Sequence, residues 1–138
     1  MQVFVDSNIF LDYYFDRKNH VKPLGEFAFQ FIKRAVSCEF ELVVCWQVLK
    51  EVRLNAGLTE KEAEERILHD LLKAGKLIEA KGSATQSSEA EKLSKKLNLP
   101  FTDCLYAVLA RDLGIPVVSR DNHFKELGFV HALAPEEL

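Results

Sequence analysis

The sequence predicts one α/β domain built around a central parallel sheet, and three observations carry that prediction. Short apolar runs at residues 3–5, 41–45, 77–80 and 116–119 alternate with stretches of helical periodicity. The chain has 138 residues, which suits a single domain spanning 1–138. Its composition is 48% hydrophobic and 28% charged, enough to bury a core and keep a solvated surface.

Each element follows from its local pattern. The run at 3–5 is apolar throughout, as in a strand covered on both faces, and it ends at Asp6. A helix is expected over 7–15. The repeat over 21–36 puts Leu24, Phe27, Ala28, Phe31, Ile32 and Ala35 on one face. After the strand at 41–45, a helix over 46–56 carries the stripe Val48, Leu49, Val52 and Ala56, with Gly57 placed to end it. Thr59 opens a helix with an acidic first turn that runs to about residue 74, closed by Gly75. The strand at 77–80 leads to a polar, exposed helix over 83–97, and Pro100 breaks the chain. Thr102 is expected to cap a helix reaching about residue 113, with Leu105, Val108, Leu109 and Leu113 as its stripe and Gly114 at its end. The strand at 116–119 precedes a short helix from Asp121 to residue 127, and 129–132 reads as a short edge strand.

The bulk chemistry excludes several classes of protein. No apolar run approaches the ~20 residues needed to cross a bilayer. The amino terminus opens on a strand and lacks the features of a secretory signal, so a cytoplasmic protein without a membrane partner is expected. Cys38, Cys45 and Cys104 are odd in number, widely spaced and without a CxxC pair, which predicts reduced core thiols. The four histidines show no paired metal spacing. A net charge of −3 counts mildly against a nucleic-acid binder, although a carboxylate metal site would itself contribute acidity.

Four acids fall at telling places. Asp6 follows the first strand and Asp121 follows the last long apolar run by two residues. Open α/β sheets bind ligands beyond the carboxyl ends of their strands. Asp103 lies in the first turn of its helix, and Glu51 lies on the flank of its own, beside Val48 and Val52. Each has a bland explanation: Asp6 and Asp121 can cap helices, Asp103 can favour the helix dipole, and Glu51 can be a solvated charge. If the four converge, they offer the hard oxygen ligands that magnesium and manganese take beside a phosphodiester. At least one would then have a raised pKa without metal, through like-charge repulsion.

Three segments resemble one family. VDSNIFLD looks like the opening of a PIN domain, VVCWQVLKEV like its second strand and glutamate-bearing helix, and FTDCLYAVLARDLGIPVVSRDNHF like its carboxyl-terminal signature. In order, they cover nearly the whole chain. The resemblance implies a three-layer α/β/α fold with a central parallel sheet, and a metal-dependent ribonuclease site using Mg2+ or Mn2+. It implies that Asp6, Glu51, Asp103 and Asp121 are the catalytic acids and metal ligands. Asn8 would support Asp6, Ser119 would hydrogen-bond within the site, and Asn122 would assist. Compact PIN domains of this size resemble the toxins of toxin–antitoxin pairs, which cut RNA and are silenced by a small antitoxin protein; others act in RNA processing. The sequence leaves monomer and homodimer both open. Arg17, Lys18, Lys50, Arg53 and Arg120 are the basic residues nearest the acids in sequence and are candidates for RNA phosphate contacts, with solvated surface charge as the alternative. Within FAFQF, Phe27 and Phe31 are expected in the core, and the segment could include a partner-binding face.

Two other readings compete with catalysis on RNA. A phosphotransfer or phosphatase domain also places Asp after its first strand, but Asp6-Ser7-Asn8 lacks the DxD of a haloacid-dehalogenase-like enzyme, and Trp46-Gln47 follow the VVC strand where a receiver would place its acceptor Asp. A non-catalytic PIN-like module binding RNA or protein would be expected to have lost acids, and all four are present.

Overall fold

A computed structural model describes residues 1–138. In chain order the elements are β1 (Gln2–Val5), α1 (Ser7–Phe15), α2 (Leu24–Val36), β2 (Glu41–Val44), α3 (Trp46–Ala56), α4 (Glu60–Ala63), a π turn (Glu64–Leu68), α5 (His69–Lys73) and β3 (Leu77–Glu79). There follow α6 (Ala84–Leu97), α7 (Phe101–Leu113), β4 (Val117–Val118), α8 (His123–Leu127), β5 (Ala132–Leu133) and a closing 3-10 turn (Pro135–Glu137).

The five strands form one parallel sheet in the order β3-β2-β1-β4-β5. The chain leaves β1 toward β2 on one side and returns to β4 on the other. The gap between the carboxyl ends of β1 and β4 is therefore the switch point where such sheets bind ligands. Right-handed crossovers put α1–α5 on one face and α6–α8 on the other. Packing agrees: α1 lies against α2 and α3, and α7 against α6 and α8. Val3, Phe4, Val5, Leu42, Val44, Val117 and Val118 are fully buried, which is why the strands carry no alternation of polar residues. No helix is long and apolar enough to cross a membrane.

Five local expectations change in the structure. The helix expected from Thr59 is interrupted by the π turn at Glu64–Leu68. One extra residue in that turn brings both Ile67 and Leu68 inward, between buried Ala63 and Leu71. α7 starts at Phe101 because Pro100 takes the flanking position, so Thr102 lies inside the first turn and caps nothing. Leu113 is 48% exposed, and Tyr106 is the large side chain that α7 buries instead. The edge strand is Ala132–Leu133, set by the Val117–Ala132 and Val118–Leu133 register. Of the three free cysteines, Cys45 and Cys104 are core thiols and Cys38 is exposed.

Candidate metal centre

Asp6 leaves β1 at the switch point and is 3% exposed. The Ser119 hydroxyl, just past β4, donates to Asp6 Oδ2 at 2.8 Å, and Ser7 Oγ lies 3.4 Å from Oδ1. Ser119 Oγ also accepts the Asp121 backbone N–H at 3.0 Å, so one hydroxyl ties Asp6 to the turn that carries Asp121. Burial pushes the Asp6 carboxyl up to about 7; the Ser119 bond opposes this, and the charges of Asp103 and Glu51 add to it.

Asp103 sits in the first turn of α7 and is 8% exposed. Its Oδ2 lies 2.7 Å from His123 Nδ1. The same nitrogen lies 3.0 Å from Asp121 Oδ1, which also accepts the His123 backbone N–H at 3.0 Å. Donor atoms of Asp103, Asp121 and His123 all fall within 4.8 Å of one another. Burial raises the Asp103 pKa, the His123 bond opposes it, and the Asp121 charge adds to it. The bond to Asp103 raises the His123 pKa. Two acids are thus raised as expected, but burial outweighs the like-charge repulsion proposed as the cause.

Glu51 is half-buried on α3 and accepts a hydrogen bond from the Tyr106 phenol on α7. Tyr106 is fully buried and packs its ring 5.5 Å from that of Phe4. Burial, and then the bond to Glu51, pushes its hydroxyl pKa up, so it stays a donor.

The remaining sequence candidates are spread more widely. Asn8 is exposed and accepts from Arg17 at 3.4 Å, while the hydroxyls of Ser7 and Ser119 are what reach Asp6. Asn122 is exposed. Arg120 turns inward: it pairs with both Glu136 oxygens at 2.8 and 2.6 Å, lies 3.8 Å from Asp12 and covers the Phe27 ring. Arg17 borders a shallow depression with Asn8, Asp12 and Asp121. Lys50 lies over the exposed Trp46 ring, and with Arg53 it lines a different pocket against Glu60 and Glu64. Lys18 is exposed. Of the phenylalanines in FAFQF, Phe31 is core, Phe27 is half-buried, and Phe29 is exposed and stacks on Tyr13.

The sequence pattern alone does not single out Tyr106 or His123. Tyr106 lies three residues after Asp103, a neighbouring position on the same helix, and His123 follows Asp121 by two. Both signals were present, but each needs its distant partner, Glu51 or Asp103, to acquire meaning.

A model of the PIN domain family matches residues 3–130. The chain belongs to the PIN domain family. No curated protein matches this PIN domain by sequence. Solved structures do match in fold. A toxin–antitoxin complex from Klebsiella pneumoniae is 13% identical at a TM-score of 0.66, covering 96% of this chain and 97% of the other. VapBC2 from Rickettsia felis, solved on a promoter DNA fragment, is 16% identical at a TM-score of 0.65, covering 97% and 98%. Mycobacterium tuberculosis VapC20, described as a sarcin–ricin loop cleaving toxin, is 16% identical at a TM-score of 0.62, covering 93% and 96%.

Proposed function

We propose that this PIN domain is a divalent-metal-dependent endoribonuclease and the toxin of a toxin–antitoxin pair. One observation carries the reading. Asp6 at the switch point and Asp103 on α7 are buried, the charges of Asp103 and Glu51 bear on Asp6 and that of Asp121 on Asp103, and none of the four forms an ion pair with a lysine or arginine. Elsewhere the chain pairs its half-buried acids with arginine, as at Glu136 and Glu89. Carboxylates without a lysine or arginine partner, two of them buried and one raised to about 7, form a donor set suited to a cation.

Mg2+ or Mn2+ held by these acids would make hydroxide available near neutral pH and offset charge building on the phosphate. The protein's own groups hold the carboxylates in place: Ser119 fixes Asp6, Tyr106 fixes Glu51, and His123 joins Asp103 to Asp121. Arg17 lines the same depression as Asp121 and, although it pairs with Asp12 at 3.5 Å, keeps a partly exposed side chain that could meet an RNA phosphate. Arg120 is committed to Glu136 and contributes through structure. The toxin role and a small antitoxin partner rest on likeness in fold to toxin–antitoxin proteins.

The test is cleavage of RNA by the purified chain with Mn2+ or Mg2+ and with EDTA. In-line attack by water leaves a 5′ phosphate and a 3′ hydroxyl. Cleavage that persists in EDTA and leaves a cyclic phosphate overturns the mechanism. Co-purification of a small inhibitory protein from the native cell supports the toxin role, and isolation as a lone active species opposes it.

A further inference from the structure

We infer that His123 supplies a nitrogen ligand, through Nδ1, to the cation centre it shares with Asp103 and Asp121, and that the centre therefore favours manganese over magnesium. The inference rests on the metal reading given above and adds a ligand and a selectivity to it.

The geometry comes from two elements that meet at one point. Asp121 Oδ1 accepts the His123 backbone N–H at 3.0 Å, which closes the turn entering α8 and turns both side chains the same way. Asp103 projects from the first turn of α7. Nδ1 then lies 2.7 Å from Asp103 Oδ2 and 3.0 Å from Asp121 Oδ1. These are hydrogen-bond separations without metal, and the three donor atoms lie within 4.8 Å of one another, close enough for one ion to take all three. A ring nitrogen used only to brace a carboxylate needs one acceptor; this one lies beside two, Asp103 on α7 and Asp121 in the turn that enters α8.

The chemistry sets the preference. Magnesium takes oxygen ligands and gives up its waters reluctantly, whereas manganese, although it too favours oxygen, opens the first-row series whose later members suit imidazole, so one ring nitrogen costs it less than it costs magnesium. A centre with carboxylate oxygens alone would discriminate less. His69 gives an internal contrast: its Nδ1 lies 3.3 Å from Asp70 alone, and both side chains are more than half exposed.

The test uses the full chain loaded with Mn2+ and needs no turnover. Pulsed electron paramagnetic resonance should detect nitrogen coupled directly to the manganese. Growth with 15N-histidine should change the coupling pattern without altering the sequence. His123→Gln should remove the coupling and lower the preference for Mn2+ over Mg2+, measured by calorimetry. His69→Gln should change neither. Mn2+ bound without histidine nitrogen coupling overturns the role of His123 and leaves the carboxylate centre standing. Failure of Mn2+ to bind overturns both.

Discussion

The Tyr106 phenol donates a hydrogen bond to the Glu51 carboxylate, joining a helix from each outer layer at the carboxyl end of the sheet. Tyr106→Phe keeps the ring against Phe4 and removes only the donor. Loss of one hydrogen bond to a charged group should cost about 1.5–3 kcal/mol of stability. Because the bond also sets the direction of Glu51, Mn2+ affinity should fall about tenfold. Thermal melts and calorimetric titration read the two effects separately. Lower stability with unchanged affinity would make Tyr106 purely structural.

Much of this arrangement is legible in the sequence because strand and helix order fixes topology, and topology fixes strand ends. The apolar runs before Asp6 and Asp121 place both acids near the switch point. The partners of those acids are less legible. Ser119 lies two residues from Asp121, yet its hydroxyl bond to Asp6 spans 113 residues. Arg120 lies between two site residues and looks like a phosphate contact, but alternation in an extended segment turns it away from its neighbours, toward Glu136. The π turn at Glu64–Leu68 depends on what α5 must cover, and local propensity carries little signal of it.

Asp6 should impose a pH dependence on the metal-free protein. Its folded pKa is raised from 3.8 to about 7, so the folded state holds the proton more tightly than the unfolded chain. The resulting destabilisation is absent below about pH 4, grows as pH rises toward 7, and is complete above that, at about 4 kcal/mol as an upper bound. Asp6→Asn can still accept from Ser119 but carries no charge. In EDTA it should melt above the natural protein at pH 8 and near it at pH 4. Parallel melting curves across that range would show that Asp6 is not the titrating group.

Glu136 should act in the opposite direction. Burial raises its carboxyl, but bonds from Arg120, its own backbone N–H and Lys22 outweigh that and bring it from 4.5 down to about 2. A depressed carboxylate adds stability that is fully present above its unfolded pKa and fades as pH falls from about 4.5 through 2. Glu136→Gln should therefore lower stability at pH 7 and flatten the acid limb of the stability profile. Chemical denaturation at pH 7, 4 and 2.5 provides the check. A constant difference between the two proteins at all three values would rule out this linkage.

Asp121 allows a test of the centre that needs no substrate. A cation that binds only the folded state stabilises it by mass action, by about 2.7 kcal/mol at a hundred times its dissociation constant. For a domain of this size that corresponds to a rise of about 10 °C in melting temperature. Asp121 Oδ1 has a local duty as well, accepting the His123 backbone N–H. Asparagine can keep that duty with its amide oxygen, so Asp121→Asn removes charge while preserving the turn into α8. The natural protein should gain stability from Mn2+ at neutral pH, and the variant should lose much of that gain while keeping the same fold by circular dichroism. Asp121→Ala would remove the turn contact too, and its lower melting temperature in EDTA would separate the structural share from the metal share. An equal Mn2+ shift in the natural protein and Asp121→Asn would take Asp121 out of the centre and leave Asp6, Glu51 and Asp103 to hold the ion.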